Sequence, residues 1–468
     1  MAKTDKKLVS ANALLKLCRR LTGNIVLPLA FLALAAFPSR AEGINIISDD
    51  ETELFLQNIT KPLFKEAKIP FNRNKLYIVN DNSLNAFVAD GNNLFINTGT
   101  IIAADSPDEI SGVIAHEAGH ITGGHIIRQK IKNQALQQAS LASLLLAGTT
   151  AAVSGRADVG MAIALGSQTS LLTNYTAYRT EQERSADETA IRLLTQTRQS
   201  PEGMLAFMKK INKQNSLNGI EETPYFRTHP VTRERISFFE KSLAASPYVS
   251  SNDNVEQFKR VKAKLIAFLA APEYTLKRYP LGDTSTAARY ARAIAYFKKL
   301  DVAKALSLIN GLIEEEPDNP FFRELKGQIY METGKVHEAK QEYRKALSLL
   351  PNSALLQISL AQAVLEDNPT SEELKSVVKA LNKSVINKPS SLAWILLSRA
   401  YGSLGETAYS NYAAAEYSLR TGLVDVAEKQ VDTALNSGVY SPALQIKLDD
   451  LKGRLIDLKK DRKNSYRR

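Results

Sequence analysis

The sequence predicts a mostly α protein in two parts: an α+β domain with a small sheet, then an all-α solenoid of helical repeats. Three observations predict this class. Strand-like runs and an Asp90-Gly91 turn gather before residue 100. Amphipathic helical patterns fill the stretch from 106 to 270. From residue 286, aromatic, small and proline positions recur, with Pro317 and Pro351 one 34-residue period apart.

The chain begins with a leader pattern. Lys3, Lys6, Lys7, Lys16, Arg19 and Arg20 precede an apolar run from Ile25 to Phe37, and Ser39 and Ala41 supply small residues before Glu42. Those are the three parts of a cleaved export signal. The run is too short for a membrane anchor, which needs about 20 apolar residues. The one cysteine, Cys18, lies in this leader, so a chain starting at Glu42 has no cysteine and suits an oxidising compartment without disulfides. The net charge of +11 comes from the leader and from the basic tail, 459–468. The body between them is formally neutral, which argues against nucleic-acid binding. The expected divisions are a leader 1–41, a domain 42–275, a repeat region 276–458 and the tail 459–468.

Within 42–104, Glu51 to Lys68 reads as a helix, and Lys75–Val79, Asn85–Ala89 and Leu94–Asn97 read as strands. Ser106, Pro107 and Glu109 form the start signal of the next helix, a Ser-x-x-Glu box with proline at the first position. That helix is expected to run to about Lys132. Residues 141–172 are apolar and rich in small residues, in two runs each shorter than a membrane span. They read as core or lid helices, with peripheral membrane contact as the alternative. Tyr178 to Thr195 reads as a further helix, followed by a loop holding Thr228-His229-Pro230.

In the unit starting at Pro320, Gly327, Tyr330, Ala339, Tyr343, Ala346 and Pro351 occupy the packing positions of a tetratricopeptide repeat. Thr286–Pro317 forms the preceding unit. The next unit reaches Pro389 with about four extra residues, placed around Asn368-Pro369-Thr370. Weaker units are expected from Ser391 and Ala408, with the helix from Ser441 closing the stack. Trp394 and the tyrosines read as repeat core. Such units must stack to bury their faces, which creates a concave surface for a partner or substrate.

The chemistry centres on His116-Glu117-Ala118-Gly119-His120. Residues four apart share a helix face, so His116 and His120 can hold one metal ion, with Glu117 beside a metal-bound water. A catalytic zinc needs a third protein ligand. On a continuous helix His125 lies nine residues from His116, which turns it about 180° away, and it is given a structural or capping role. Position 126, where a metzincin pattern would need histidine, is Ile126. Glu183 and Asp187 share a face of another helix. Glu183 is the expected third ligand, and Asp187 the acceptor for the outer N–H of a ligand histidine. Glu117 is the expected general base. His229 is either an oxyanion stabiliser, a resting ligand that blocks water, or a packing residue. An edge strand beside the site would hold an extended substrate, and Leu94, Phe95, Ile96 and Asn97 are the expected strand.

Asn85-Ala86-Phe87, Thr98-Gly99, the His116 motif with His125, and Glu183-x-x-Ala186-Asp187 together resemble the HtpX/Oma group of gluzincin metallopeptidases over about 75–240. With the leader and the repeats, the chain resembles the BepA-type periplasmic proteases. The resemblance implies one Zn2+ per chain, held by His116, His120 and Glu183, with Glu117 as base and His229 as a gating or transition-state residue. It also implies a periplasmic endopeptidase acting on unfolded or misassembled proteins, whose repeats dock on outer-membrane assembly machinery or on substrates. The competing reading is a latched or silent protease acting mainly as a repeat scaffold.

Overall fold

Asp49 sets the first helix. Its carboxylate accepts from the Thr52 backbone N–H at 2.8 Å and from the Thr52 hydroxyl at 2.5 Å, which caps α1 (Asp50–Glu66). The computed structural model describes residues 45–465 apart from 73–74, 90–91, 155–156, 219–223, 251–253 and 439. The expected leader, the Asp90-Gly91 turn and the last three residues of the tail lie outside the described residues.

Four strands form one sheet: β1 (Ile46–Ile47), β2 (Leu76–Val79), β3 (Ala86–Ala89) and β4 (Asn93–Asn97), in the order β1-β2-β4-β3. β2 and β4 are parallel, while β3 runs antiparallel to β4 and β1 antiparallel to β2. Strand alternation sends Leu76, Ile78, Ala86, Leu94 and Ile96 into the core. On the other face the rings of Tyr77, Phe95 and Phe87 stack across three strands, with centroids 4.8 and 4.9 Å apart. The expected substrate strand, Leu94 to Asn97, is β4. It is paired on both sides and has no free edge to offer. Among the described residues the outer strands are β1 and β3, and β3 is the one beside β4.

α2 (Thr98–Ala103) leads to the motif helix α3 (Pro107–Thr122). The expected capping box does not form. Ser106 makes no side-chain cap bond, and Glu109 instead accepts from the Asp105 N–H at 3.0 Å and from Lys210 at 2.8 Å. The helix also stops short of Lys132, because the chain breaks at Gly123-Gly124, with Gly124 in the left-handed region at φ +61°.

α4 (His125–Ser154) and α5 (Ala157–Gln196) then pack side by side as a long hairpin, and α5 absorbs the helix expected over Tyr178–Thr195. The expected core packing of 141–172 is not found: Leu141, Leu144, Leu145, Leu146, Met161 and Leu165 are exposed. Among the described residues no helix is long and apolar enough to cross a membrane. The stretch after α5 is not all loop. α6 (Glu202–Asn218) buries Met204, Phe207, Met208 and Ile211, and α7 (Pro224–Thr228) and α8 (Arg233–Ala244) follow.

α9 (Val255–Leu269) and α10 (Pro272–Arg278) precede five helix pairs among the described residues. The pairs are α11 (Thr286–Lys298) with α12 (Val302–Glu315), α13 (Pro320–Glu332) with α14 (Val336–Leu349), α15 (Ala354–Glu366) with α16 (Ser371–Asn387), α17 (Ser391–Ser403) with α18 (Thr407–Arg420), and α19 (Val424–Asn436) with α20 (Pro442–Ser465). Gly327 is small because a Cβ there would lie 2.7 Å from the Tyr343 ring of the paired helix. The extra residues of the third unit lie mostly in α16, which has 17 residues where α14 has 14. The last unit starts at Val424, not Ala408, because Ala408 belongs to the second helix of the pair before it. The tail continues α20 to Ser465, and Lys459 pairs with Glu428 at 2.5 Å.

The described residues, from Asn45 on, pack as one unit. α9 joins its two parts: Phe258, Val261 and Leu265 enter the core around the sheet, while Ala263 and Ala267 enter the core of the first repeat. The start of α1 adds a polar clamp. Lys264 lies 2.5 Å from Asp49 and 3.5 Å from Glu51, Arg260 lies 3.3 Å from Glu51, and the Tyr290 hydroxyl donates to Glu51 at 3.2 Å. Ser353 bonds Asp50 and Lys388 bonds Glu53 from farther along the repeats. Burial works against the Asp49 charge, yet Lys264 holds its carboxyl below the usual range. Replacing Lys264 with Met removes the buried cation shared by Asp49 and Glu51, and the expected loss is about 3 kcal/mol in urea unfolding. Lys209→Met, at the exposed pair with Glu240, is expected to cost about 1 kcal/mol or less in the same titration.

Candidate metal centre

α3 and α5 meet at a backbone-to-backbone contact. A Cβ on Gly119 would lie 2.7 Å from both the Cα and the carbonyl oxygen of Ala186, so only glycine lets the helices come this close. The approach brings His116 and His120 of α3 against Glu183 and Asp187 of α5. All four are buried, as are Glu117 and His229.

His116 Nε2 lies 3.1 Å from His120 Nε2, 3.3 Å from His229 Nδ1 and 3.4 Å from Glu183 Oε2. His120 Nε2 lies 3.3 Å from Glu183 Oε1, and His229 Nδ1 lies 3.1 Å from the same oxygen. One donor atom from each of His116, His120, Glu183 and His229 thus falls within 4.8 Å of the others. The outer ring nitrogens have their own partners. His116 Nδ1 sits 2.8 Å from Asp187, and His120 Nδ1 sits 2.9 Å from His125 Nδ1. Protons placed on those outer nitrogens leave the inner Nε2 lone pairs aimed at one another. Lone pairs in that arrangement repel, and a cation placed among them removes the conflict. The donor set of imidazole nitrogens and one carboxylate fits a four-coordinate metal.

His125 stands where a continuous helix would not put it. The break at Gly123-Gly124 swings its ring back against His120, and a side chain on Gly123 would run into that ring. The Gly-Gly pair was the available signal, and continuing the helix through it hid the contact. Asp187 lies 2.8 Å from His116 Nδ1, on the side away from the other donors. Arg235 of α8 was not anticipated. Its guanidinium donates to both Asp187 oxygens at 2.6 and 2.8 Å and lies 2.9 Å from Glu183. A lone arginine six residues after His229 carries no sequence signal for this role.

The electrostatics follow from burial and these pairs. Burial opposes charge on His116, but Asp187 and Glu183 outweigh it and push its pKa up to about 9. Burial pulls His120 down to about 3. Burial would raise Glu183, yet His229 and the two motif imidazoles hold it well below the usual carboxylate range. Burial pushes the Glu117 carboxyl up. Both Glu117 oxygens are buried without a hydrogen-bond partner among the described residues, and Oε1 lies 3.5 Å from His229 Nε2.

A cleft lined by Asn85, Phe87, Val88, Ile126 and Arg179 opens over Glu117 and His120. β3 forms one wall. His229 enters from the segment after α7, where its N–H donates to Tyr225 O at 2.6 Å and its ring packs 4.7 Å from the Tyr225 ring. Arg179 donates to the carbonyls of Arg227 and Thr228, both at 2.7 Å, and so tethers this segment to α5.

Residues 50–242 match peptidase family M48, and residues 323–353 match the tetratricopeptide repeat. The chain is 23% identical over 428 residues to the beta-barrel assembly-enhancing protease of Escherichia coli (strain K12), covering 89% of this chain and 84% of that one. It is 23% identical over 350 residues to the protein of the same name from Yersinia pestis, covering 72% of this chain and 69% of that one. The chain therefore carries an M48 peptidase domain and a tetratricopeptide repeat, and its site belongs to the M48 portion.

Gly119→Ala is expected to force α3 and α5 apart, costing about 1–3 kcal/mol and removing most of the stabilisation that added divalent metal confers in a thermal melt. Gly166→Ala, where an added Cβ meets nothing within 4 Å, is expected to leave both readings unchanged.

Proposed function

We propose that this chain, with its M48 domain and repeats, is a zinc-dependent endopeptidase that hydrolyses misfolded or stalled exported proteins. The observation that carries the proposal is the buried meeting of His116, His120 and Glu183 beside a buried Glu117 carboxylate. His116, His120 and Glu183 would hold one zinc ion per chain, and Asp187 and His125 would fix the ring orientations of the two motif histidines. When bound, zinc supplies Lewis acidity toward a substrate carbonyl and acidifies a water to a pKa of about 7. Glu117 takes the proton of the attacking water and delivers it to the leaving amine. Burial raises its pKa, which strengthens it as a proton acceptor.

β3, an outer strand among the described residues, would supply the edge at the cleft in place of the β4 strand expected from sequence. An extended substrate pairing with Ala86–Ala89 would be recognised through its backbone, which tolerates varied sequences. The names of the similar proteins, together with the export-type leader, support a periplasmic role in outer-membrane assembly. The repeats would recruit substrate or assembly machinery on their concave side. The division into a leader 1–41, a peptidase domain 42–275, repeats 276–458 and a basic tail is part of this proposal.

His229 carries a second element. Its Nδ1 lies 3.3 Å from His116 Nε2 and 3.1 Å from Glu183 Oε1, among the candidate donors, which supports a role as a resting latch. Opening requires the Tyr225–His229 segment to move, against the two Arg179 hydrogen bonds.

Glu117→Gln is expected to keep stoichiometric zinc by atomic absorption while lowering casein cleavage by about 10²–10⁴-fold. Cleavage that persists in this variant and resists chelators would sink the proposal. His229→Ala is expected to raise casein cleavage severalfold at unchanged zinc content. A loss instead would move His229 from latch to transition-state stabiliser.

A further inference from the structure

The α4–α5 hairpin exposes apolar side chains that nothing else among the described residues covers. Leu141, Leu144, Leu145, Leu146, Met161 and Leu165 are 48–72% exposed. Between Lys132 and Arg179 the sequence holds only two charged residues, Arg156 and Asp158. A water-facing helix of this length normally carries many charges. The legs are nevertheless too polar to span a bilayer, with no qualifying window among the described residues.

Charge returns abruptly at the base. Arg128, Lys130 and Lys132 of α4 and Arg179 of α5 form a collar there, and among the described residues none of them is in an ion pair. Arg128 donates to the Gly123 carbonyl, Arg179 to two backbone carbonyls, and the Lys132 ammonium lies 4.2 Å over the Tyr178 ring. Tyr175 lies one turn farther out and accepts from Gln129 at 3.3 Å. Glu181 is the one exposed acid close to the collar on α5 before Arg184. An uncharged apolar projection, then tyrosines, then cations is the order of chemistry met on leaving a lipid layer through its interface.

We propose that this hairpin seats the molecule on an anionic lipid surface, with the collar at the headgroups and the exposed leucines among the upper acyl chains. The collar argues for lipid over a second copy of the chain. A second copy offers it another collar or a nearly neutral hairpin, whereas anionic headgroups complement it. The placement has a consequence for the cleft. Ile126, Gln129 and Arg179 line the cleft over His120 and Glu117 as well as belonging to the base of the hairpin. Docking therefore holds the mouth of the cleft at the lipid surface, where a substrate stalled at the membrane would be presented. The docking itself does not depend on the peptidase proposal.

The test is co-sedimentation of residues 42–468, which contain the whole compact unit, with vesicles of phosphatidylglycerol mixed with phosphatidylcholine and with phosphatidylcholine alone. Circular dichroism melts control for folding. The parent is expected to pellet with the anionic vesicles and to be released by salt. K130E/K132E is expected to weaken binding by about twentyfold or more, and L144Q/L145Q/L146Q by about tenfold or more, with melts unchanged. No binding by the parent, or binding indifferent to both variants, overturns the proposal. So does light scattering showing a lipid-free dimer that the leucine variant dissolves, which would assign the face to a second copy. Loss of casein binding by the leucine variant with vesicle binding intact would assign it to unfolded polypeptide.

Discussion

The site depends on how closely two helix backbones approach. His116 and His120 can only meet Glu183 because Gly119 lies against the backbone of Ala186. Both small residues are spaced within the motifs they serve: Gly119 lies between the two histidines in sequence, and Ala186 lies between Glu183 and Asp187. Packing and chemistry are therefore set by the same few residues. A methyl group added at this contact would act on both distances from Glu183 to the motif histidines at once, since these span the two helices.

Close approach alone would be unfavourable, because it buries Glu183 and Asp187 together. Arg235 resolves this. It pairs bidentately with Asp187 and reaches Glu183, and burial of all three makes the ion pairs strong only because each charge has a partner. The chain then reads outward from the donors: His116 is oriented by Asp187, Asp187 is held by Arg235, and Arg235 also donates to the carbonyl of Pro230 at 2.8 Å. That last bond ties the residue after His229 to the same network. The latch and the donor cluster thus share one anchoring side chain, and movement at His229 has a direct route to the carboxylates that position His116.

The motif residues were legible because their spacing is tied to helix geometry. Glu183 and Asp187 followed from the same periodicity on a second helix. His125 was not, for a definite reason: a helical wheel assumes an unbroken helix, and Gly124 adopts φ +61°. Once the wheel is broken, the nine-residue spacing from His116 carries no angular information. The substrate strand failed on topology. Leu94–Asn97 alternates as a strand should, but alternation does not report strand order, and the parallel pairing with β2 placed it in the interior of the sheet. Of the readings of 141–172, only the core one failed, on the assumption that apolar helices seek the core. The repeats were legible through Gly327, Tyr343 and the proline period because each unit packs on its neighbour by local rules.

The joint between the two parts follows no local rule, and it was invisible in the sequence. Pro272, Pro280 and Gly282 suggest a break, yet α9 just before them contributes to both cores. A helix shared in this way cannot act as a free hinge, since rotating it would expose apolar surface on one side or the other. The clamp at the start of α1 adds direction to that stiffness. Apolar contacts between α9 and its neighbours are tolerant of small rotations, but Asp49, Asp50, Glu51 and Glu53 must each meet a particular partner from α9, the first repeat or the loops beside α15 and α16. Buried polar groups of this kind are costly when mispaired. The carboxylates therefore select one orientation of the repeats, which hold a fixed relation to the cleft beside β3.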